Sequence, residues 1–178
     1  MSAQSIRSKA RSIANFSLLQ MVVAAALVAG GFVRVVRGPV TDGIGIAIGI
    51  AAGLAAYYVL AAGDASTPVA AKGNAIRKLA TLLAGVSIAE ELIWRGFALD
   101  ALRSSTGPVV ALVATTIGFA ASHADTQGFT GIRYHLITGL VFGLTCLATG
   151  SLLSAVAAHL SYNMMFVRRI ALQGSIAR

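Results

Sequence analysis

The side chains of this sequence that could do chemistry in an apolar setting fall in three short stretches. Ala89-Glu90-Glu91-Leu92-Ile93-Trp94-Arg95-Gly96 places three formal charges inside a run otherwise fit to span a membrane. Phe119-Ala120-Ala121-Ser122-His123 ends in an imidazole, and His159-Leu160-Ser161-Tyr162-Asn163 offers an imidazole and a carboxamide four residues apart. Centred in a lipid-exposed helix, each acid or Arg costs about 2.5 to 3.5 kcal/mol on insertion scales, so these residues must face protein or water. On a helix Glu91 and Arg95 share a face and can pair, which largely removes their penalty. Glu90 points about 100° away from Glu91 and has no cation at helical spacing on its own helix. A structural ion pair therefore accounts for Glu91 and Arg95 and leaves Glu90 to be explained.

A carboxylate, two imidazoles and a carboxamide around one buried point suit the activation of a water molecule. Glu90 can serve as general base while a neutral imidazole shares or orients the proton. A second imidazole and an amide NH₂ are donors suited to a developing oxyanion, and Asn163, one turn after His159, lies on the same helix face. Glu, His and His are also the ligand set of many catalytic zinc sites, so Glu90, His123 and His159 admit a version in which a divalent zinc ion holds the water. Both versions hydrolyse an amide. No Gly-x-Ser-x-Gly and no Cys near a His points to a covalent route. His135, beside Arg133 and Tyr134 at a helix start, is read as an interfacial residue.

The elements that must position these groups are apolar helices. The chain has 178 residues, of which 57% are hydrophobic and 11% charged, with a mean hydropathy of +0.81. That composition belongs to a membrane protein and not to a soluble globule. Apolar runs near the roughly 20 residues a spanning helix needs recur without strand-like alternation, so the expected class is all-α and polytopic. The runs cover Phe16 to Val33, Gly43 to Ala62, about Ile76 to Arg103, Pro108 to His123, Tyr134 to Thr149 and Leu152 to Ile170. Polar connectors are expected at Arg34 to Asp42, with a turn signal at Gly38-Pro39, at Gly63 to Asn74 around Pro68, and at Ala124 to Arg133. Gly45, Gly49 and Gly53 repeat at four-residue intervals, a groove that lets a neighbouring helix approach closely. The short link Gly150-Ser151 makes the last two helices antiparallel neighbours.

Charge sets orientation and excludes other partners. The net charge is +8, from 14 Lys and Arg, yet these are scattered at segment ends and form no nucleic-acid patch. Six spans put both termini on one side, and Arg7, Lys9, Arg11, Lys72, Arg77, Lys78, Arg133, Arg168, Arg169 and Arg178 mark that side as cytoplasmic. The first span is read as an uncleaved helix, since it exceeds a signal-peptide core and further spans follow. The single Cys146 permits no intrachain disulfide. Counting along the helices, Glu90 lies roughly 16 Å from the start of the apolar part of its span and His159 roughly 11 Å from the outer end of its own. Both depths are near mid-bilayer.

Glu90-Glu91-xxx-Arg95-Gly96, Phe119-xxx-His123 and His159-xxx-Asn163, in this order on successive apolar helices, resemble the three signature motifs of the CPBP or Abi family, the CAAX proteases and bacteriocin-processing enzymes. The resemblance covers about Arg77 to Arg169. It implies an intramembrane endopeptidase in which Glu90 and His123 activate the water and His159 and Asn163 stabilise the oxyanion. Glu91 with Arg95 then supports the site or engages the substrate's end. On this basis the chain divides into residues 1–75, a tail and two helices; residues 76–170, a peptidase core of four helices; and a tail, residues 171–178. The expected setting is a multi-pass protein of a bacterial-type plasma membrane, acting on a peptide or membrane-protein substrate in the lipid bilayer. A non-proteolytic immunity or scaffold protein of the same fold is the alternative. A proton-coupled transporter is a further rival, and the absence of an internal repeat argues against it.

Overall fold

A computed structural model describes residues 3–33, 39–61 and 73–176. The turn expected at Gly38 and the linker expected around Pro68 lie outside these residues. The secondary structure is helical, with no strand among the described residues: α1 (Ala3–Ala29), α2 (Pro39–Ala61), α3 (Asn74–Glu91), a π-helical segment (Leu92–Ala98), α4 (Leu99–Thr106), α5 (Pro108–Ala121), α6 (Ala124–Thr149) and α7 (Leu152–Ile176). Two stretches, Thr41–Leu60 and Gly131–Thr149, are long and apolar enough to cross a membrane, whereas Ile13–Ala29 and Pro108–Ala121 are apolar but shorter.

Two local expectations are corrected. The third span is not one α-helix, because the backbone widens to π geometry directly after Glu91 and returns to α at Leu99. An extra residue per turn of this kind commonly sits beside a functional site. The stretch Ala124 to Arg133 is not a loop either, since α6 already begins at Ala124 and only bends at Gly128, where φ is +69°. That left-handed value is open to glycine without a Cβ clash, so the chain turns there while helical bonding continues on both sides. At the other end of α6, Gly150 adopts φ +65° as its C-cap, which turns the chain sharply into α7.

Large apolar side chains are exposed and charged ones are buried, unlike in a water-soluble domain. Leu18, Val22, Ile44, Ile48, Val59, Val113, Ile117 and Leu144 are exposed, while Asp42, Glu90, Glu91, Arg95, His123 and His159 are buried. An apolar exterior with ionisable groups kept inside is what lipid as the surrounding solvent selects.

The tightest packing lies between α2 and α7. Gly45 faces Ser151 and Ser154, and a Cβ on Gly49 or Gly53 would run into the carbonyl oxygens of Ser154 and Ala158. The glycine face of α2 is thus a seat for the backbone of α7. Asp42, in the first turn of α2, accepts a hydrogen bond from Ser151 Oγ and pins the seat at the α6–α7 turn. Tyr57 and Tyr162 meet edge to face, 5.9 Å between centroids, further along the same seam. Gly53→Val should therefore destabilise the protein by about 1 to 3 kcal/mol through overpacking, read as a lower unfolding midpoint in detergent. Gly43→Ala, whose added Cβ would meet nothing within 4 Å, should leave that midpoint unchanged or raised.

Candidate active site

The end of α3 presents two carboxylates in different directions, and each finds partners on other helices. Glu91, with no exposed surface, receives Arg95 Nη1 at 3.0 Å and His159 Nδ1 at 2.8 Å on the same Oε1. Arg95 also donates through Nη2 to the carbonyl oxygen of Gly139 at 2.7 Å. Its guanidinium lies 4.7 Å from the ring centroid of Phe119 and 5.8 Å from that of Phe142, so aromatic faces shield the charge. Gly139 makes this approach possible, because a Cβ there would sit 3.0 Å from the Phe119 ring and 3.5 Å from Arg95 Nη2.

Glu90 faces the interior point. Its Oε1 accepts a hydrogen bond from Gln20 Nε2 at 2.9 Å and lies 3.4 Å from His123 Nε2, while its Oε2 lies 3.8 Å from His159 Nε2. The remaining contacts of the two rings fix where their hydrogens are. His123 Nδ1 lies 2.9 Å from the carbonyl oxygen of Phe119, and a carbonyl only accepts, so Nδ1 carries the hydrogen. His159 Nδ1 faces the Glu91 carboxylate and carries the hydrogen for the same reason. In the neutral rings both Nε2 atoms then turn lone pairs toward Glu90. A carboxylate and two ring nitrogens thus lie around one place, an arrangement suited to hold a water.

The structure brings Glu90, His123 and His159 together and ties Glu91 and Arg95 behind them. Asn163 stands off the carboxylates, donating from Nδ2 to Ser87 Oγ at 2.8 Å, and it lines a cavity of about 500 Å³ with Tyr57, Tyr134, His135, Tyr162 and Phe166. A second cavity, of about 630 Å³, is lined by Phe32, Arg95, Arg103 and Leu152, and neither cavity is lined by Glu90, His123 or His159. Among the described residues no group of three or more His, Cys, Asp and Glu side chains is arranged to hold a metal ion.

Residues 72–165 match the family described as type II CAAX prenyl endopeptidase, Rce1-like. The matched stretch holds all three motifs and more than half of the chain. The chain belongs to this family. Rce1-like proteins are a protease family, and the CAAX-protease resemblance of the motifs agrees with the match. Comparison with curated proteins and with solved structures finds no match.

Three partners at the site escaped sequence reasoning. Gln20 lies on α1, outside the residues matched to the family, and is buried with Ser17 and Ala24 on one helix face. A lone amide in the apolar run from Phe16 was the available signal. Ser87, one turn before Glu90, is fully buried and holds Asn163. The His135 ring stacks on His123, 3.7 Å between centroids. Removing one member of a buried ion pair strands the other. Arg95→Met should cost about 3 to 5 kcal/mol in denaturant unfolding in detergent, and adding Glu91→Gln should recover most of that loss.

Proposed function

We propose that the chain is an intramembrane endopeptidase, hydrolysing a peptide bond of a membrane-proximal substrate with a water activated by Glu90 and His123. The observation that carries this reading is the convergence of the Glu90 carboxylate with the Nε2 atoms of His123 and His159, at 3.4 and 3.8 Å. A water at that point, oriented by His123 Nε2, gives one hydrogen to Glu90, and its oxygen attacks the peptide carbonyl carbon. The new oxyanion takes a hydrogen bond from the Asn163 hydrogen that Ser87 does not use. The proton held by Glu90 passes to His159 Nε2, which then supplies an N–H to the oxyanion. It returns to the leaving nitrogen as the carbon–nitrogen bond breaks. Glu91 and Arg95 hold His159 in place. Gln20 holds Glu90.

The helices are proposed to form six spans with both termini cytoplasmic, in a bacterial-type plasma membrane. Residues 76–170 form the peptidase core, between an N-terminal part, residues 1–75, and a tail, residues 171–178. Arg133 and Arg169, which line the 500 Å³ cavity, then lie on the cytoplasmic side, and the substrate is proposed to enter from there. Amides in a helix are internally bonded, and the segment cut is one that unwinds into this cavity. The test is cleavage of a fluorescence-quenched, prenylated CAAX-type peptide by the purified chain in detergent. Glu90→Ala and His123→Ala should each lower kcat by about 10² to 10⁴-fold in protein that still folds, and Gln20→Leu by about tenfold. Full activity in either alanine variant would refute the assigned roles.

A further inference from the structure

We propose that the groove between α1 and the first turns of α3 binds one anionic phospholipid, its phosphate held by Arg77 and Lys78 and an acyl chain laid along Leu82, Gly85 and Met21. The groove holds about 610 Å³ and is lined by none of the residues placed in the peptidase centre. On α3 it is lined by Asn74, Arg77, Lys78, Thr81, Leu82 and Gly85, whose intervals of three and four residues make one stripe of the helix. The stripe changes character along its length. Asn74, Arg77, Lys78 and Thr81 bring hydrogen-bond donors to its start, and Leu82 and Gly85 form an apolar floor beyond them. Met21 of α1 closes that floor, since a Cβ on Gly85 would sit 3.0 Å from its methyl carbon. From Arg77 to Gly85 the helix rises roughly 12 Å.

The charged end suits an anion. Arg77 donates through Nη2 to Asn74 Oδ1, a contact that uses one of the five N–H donors of the guanidinium. Arg77, Lys78 and Thr81 are exposed, and none of the described residues lining the groove is acidic. The two helices run in the same direction, because Gln20 meets Glu90 and, further on, Phe32 meets Phe97. The first turns of α1, which carry Arg7, Lys9 and Arg11, therefore stand at the same end as Arg77 and Lys78. The apolar end identifies the anion. Leu82 is exposed, as are Leu18 and Val22 on α1, so hydrocarbon is the medium this surface suits. A free phosphate would use Arg77 and Lys78 and leave the rest of the stripe idle, whereas a phospholipid fills both ends. On the proposed topology this end is cytoplasmic, the face at which anionic lipid attracts Lys and Arg. A lipid seated there touches both helices that bring Gln20 to Glu90 and braces α1 on α3.

The test uses the full chain in a neutral maltoside detergent. The probes are phosphatidylglycerol, phosphatidylcholine with the same chains, and glycerophosphoglycerol, which is the headgroup without chains. Phosphatidylglycerol should raise the thermal unfolding midpoint saturably, as a ligand of the folded chain does, and the other two should not. In Arg77→Gln/Lys78→Gln the mole fraction of phosphatidylglycerol giving half the rise should increase about thirtyfold. Arg103→Gln/Arg168→Gln removes the same net charge outside the groove and should stay within about twofold of wild type. Where the first double variant does not fold, Lys78→Gln alone is read for an increase of about fivefold. An equal rise with phosphatidylcholine, or an equal response of the two double variants, overturns the proposal. A full rise with glycerophosphoglycerol marks a site for a soluble anion and overturns it too. None of these readouts depends on peptidase activity.

Discussion

Adjacent carboxylates on a helix face different ways, and in an apolar bundle each must be met by donors from elsewhere. Glu90 and Glu91 impose that demand at the end of α3, and the surrounding helices are placed by it. Glu91 draws Arg95 from the π segment and His159 from α7 onto one oxygen. Glu90 draws Gln20 from α1 and His123 from the α5–α6 junction. His159 belongs to both sets, with Nδ1 on Glu91 and Nε2 toward Glu90, so it couples the supporting pair to the proposed reaction centre. A buried ion pair is weak evidence for stability by itself. Its value here is directional, because the bond to Glu91 decides which nitrogen of His159 faces Glu90.

Close packing holds the constellation. Phe119, almost fully buried, touches Arg95, His123, His135 and His159, and Phe142 stacks on His159 at 4.6 Å. These aromatic contacts need glycine on the opposing backbone: Gly139 beneath Phe119, and Gly118 beneath the Trp94 ring. Donors fixed in advance by rigid neighbours need little rearrangement when charge develops. The glycine face of α2 does the same at larger scale by seating the helix that carries His159 and Asn163.

Much of this was legible in the sequence. The helical class followed from apolar runs without alternation, and the pairing of Glu91 with Arg95 followed from their four-residue spacing. The α2 groove followed from Gly45, Gly49 and Gly53. What was not legible depends on contacts between distant residues or on small backbone departures. Gln20 is 70 residues from Glu90, and nothing in an isolated amide names its partner. The stack of His135 on His123 joins residues on either side of the Gly128 kink, which an apolar pattern does not report. The π segment arises at residues whose composition also suits an ordinary α-helix. Nor did the family pattern help with Gln20, which lies before the matched residues; part of the proposed centre is supplied by a helix outside them.

The central claim is that Glu90 shares one interior point with His123 and His159. The sequence has only two glutamates, at 90 and 91, and three histidines, which makes the claim directly measurable by solid-state NMR. Carboxyl-¹³C glutamate and ring-¹⁵N histidine are incorporated into the chain in lipid bilayers, and dipolar couplings are compared between wild type and Glu91→Gln. The account predicts couplings from the Glu90 carboxyl carbon to both Nε2 atoms, since its oxygens lie 3.4 and 3.8 Å from them, and these persist when Glu91 is replaced. A Glu90 carboxyl with no measurable coupling to either ring, in protein that retains its helices, would contradict it.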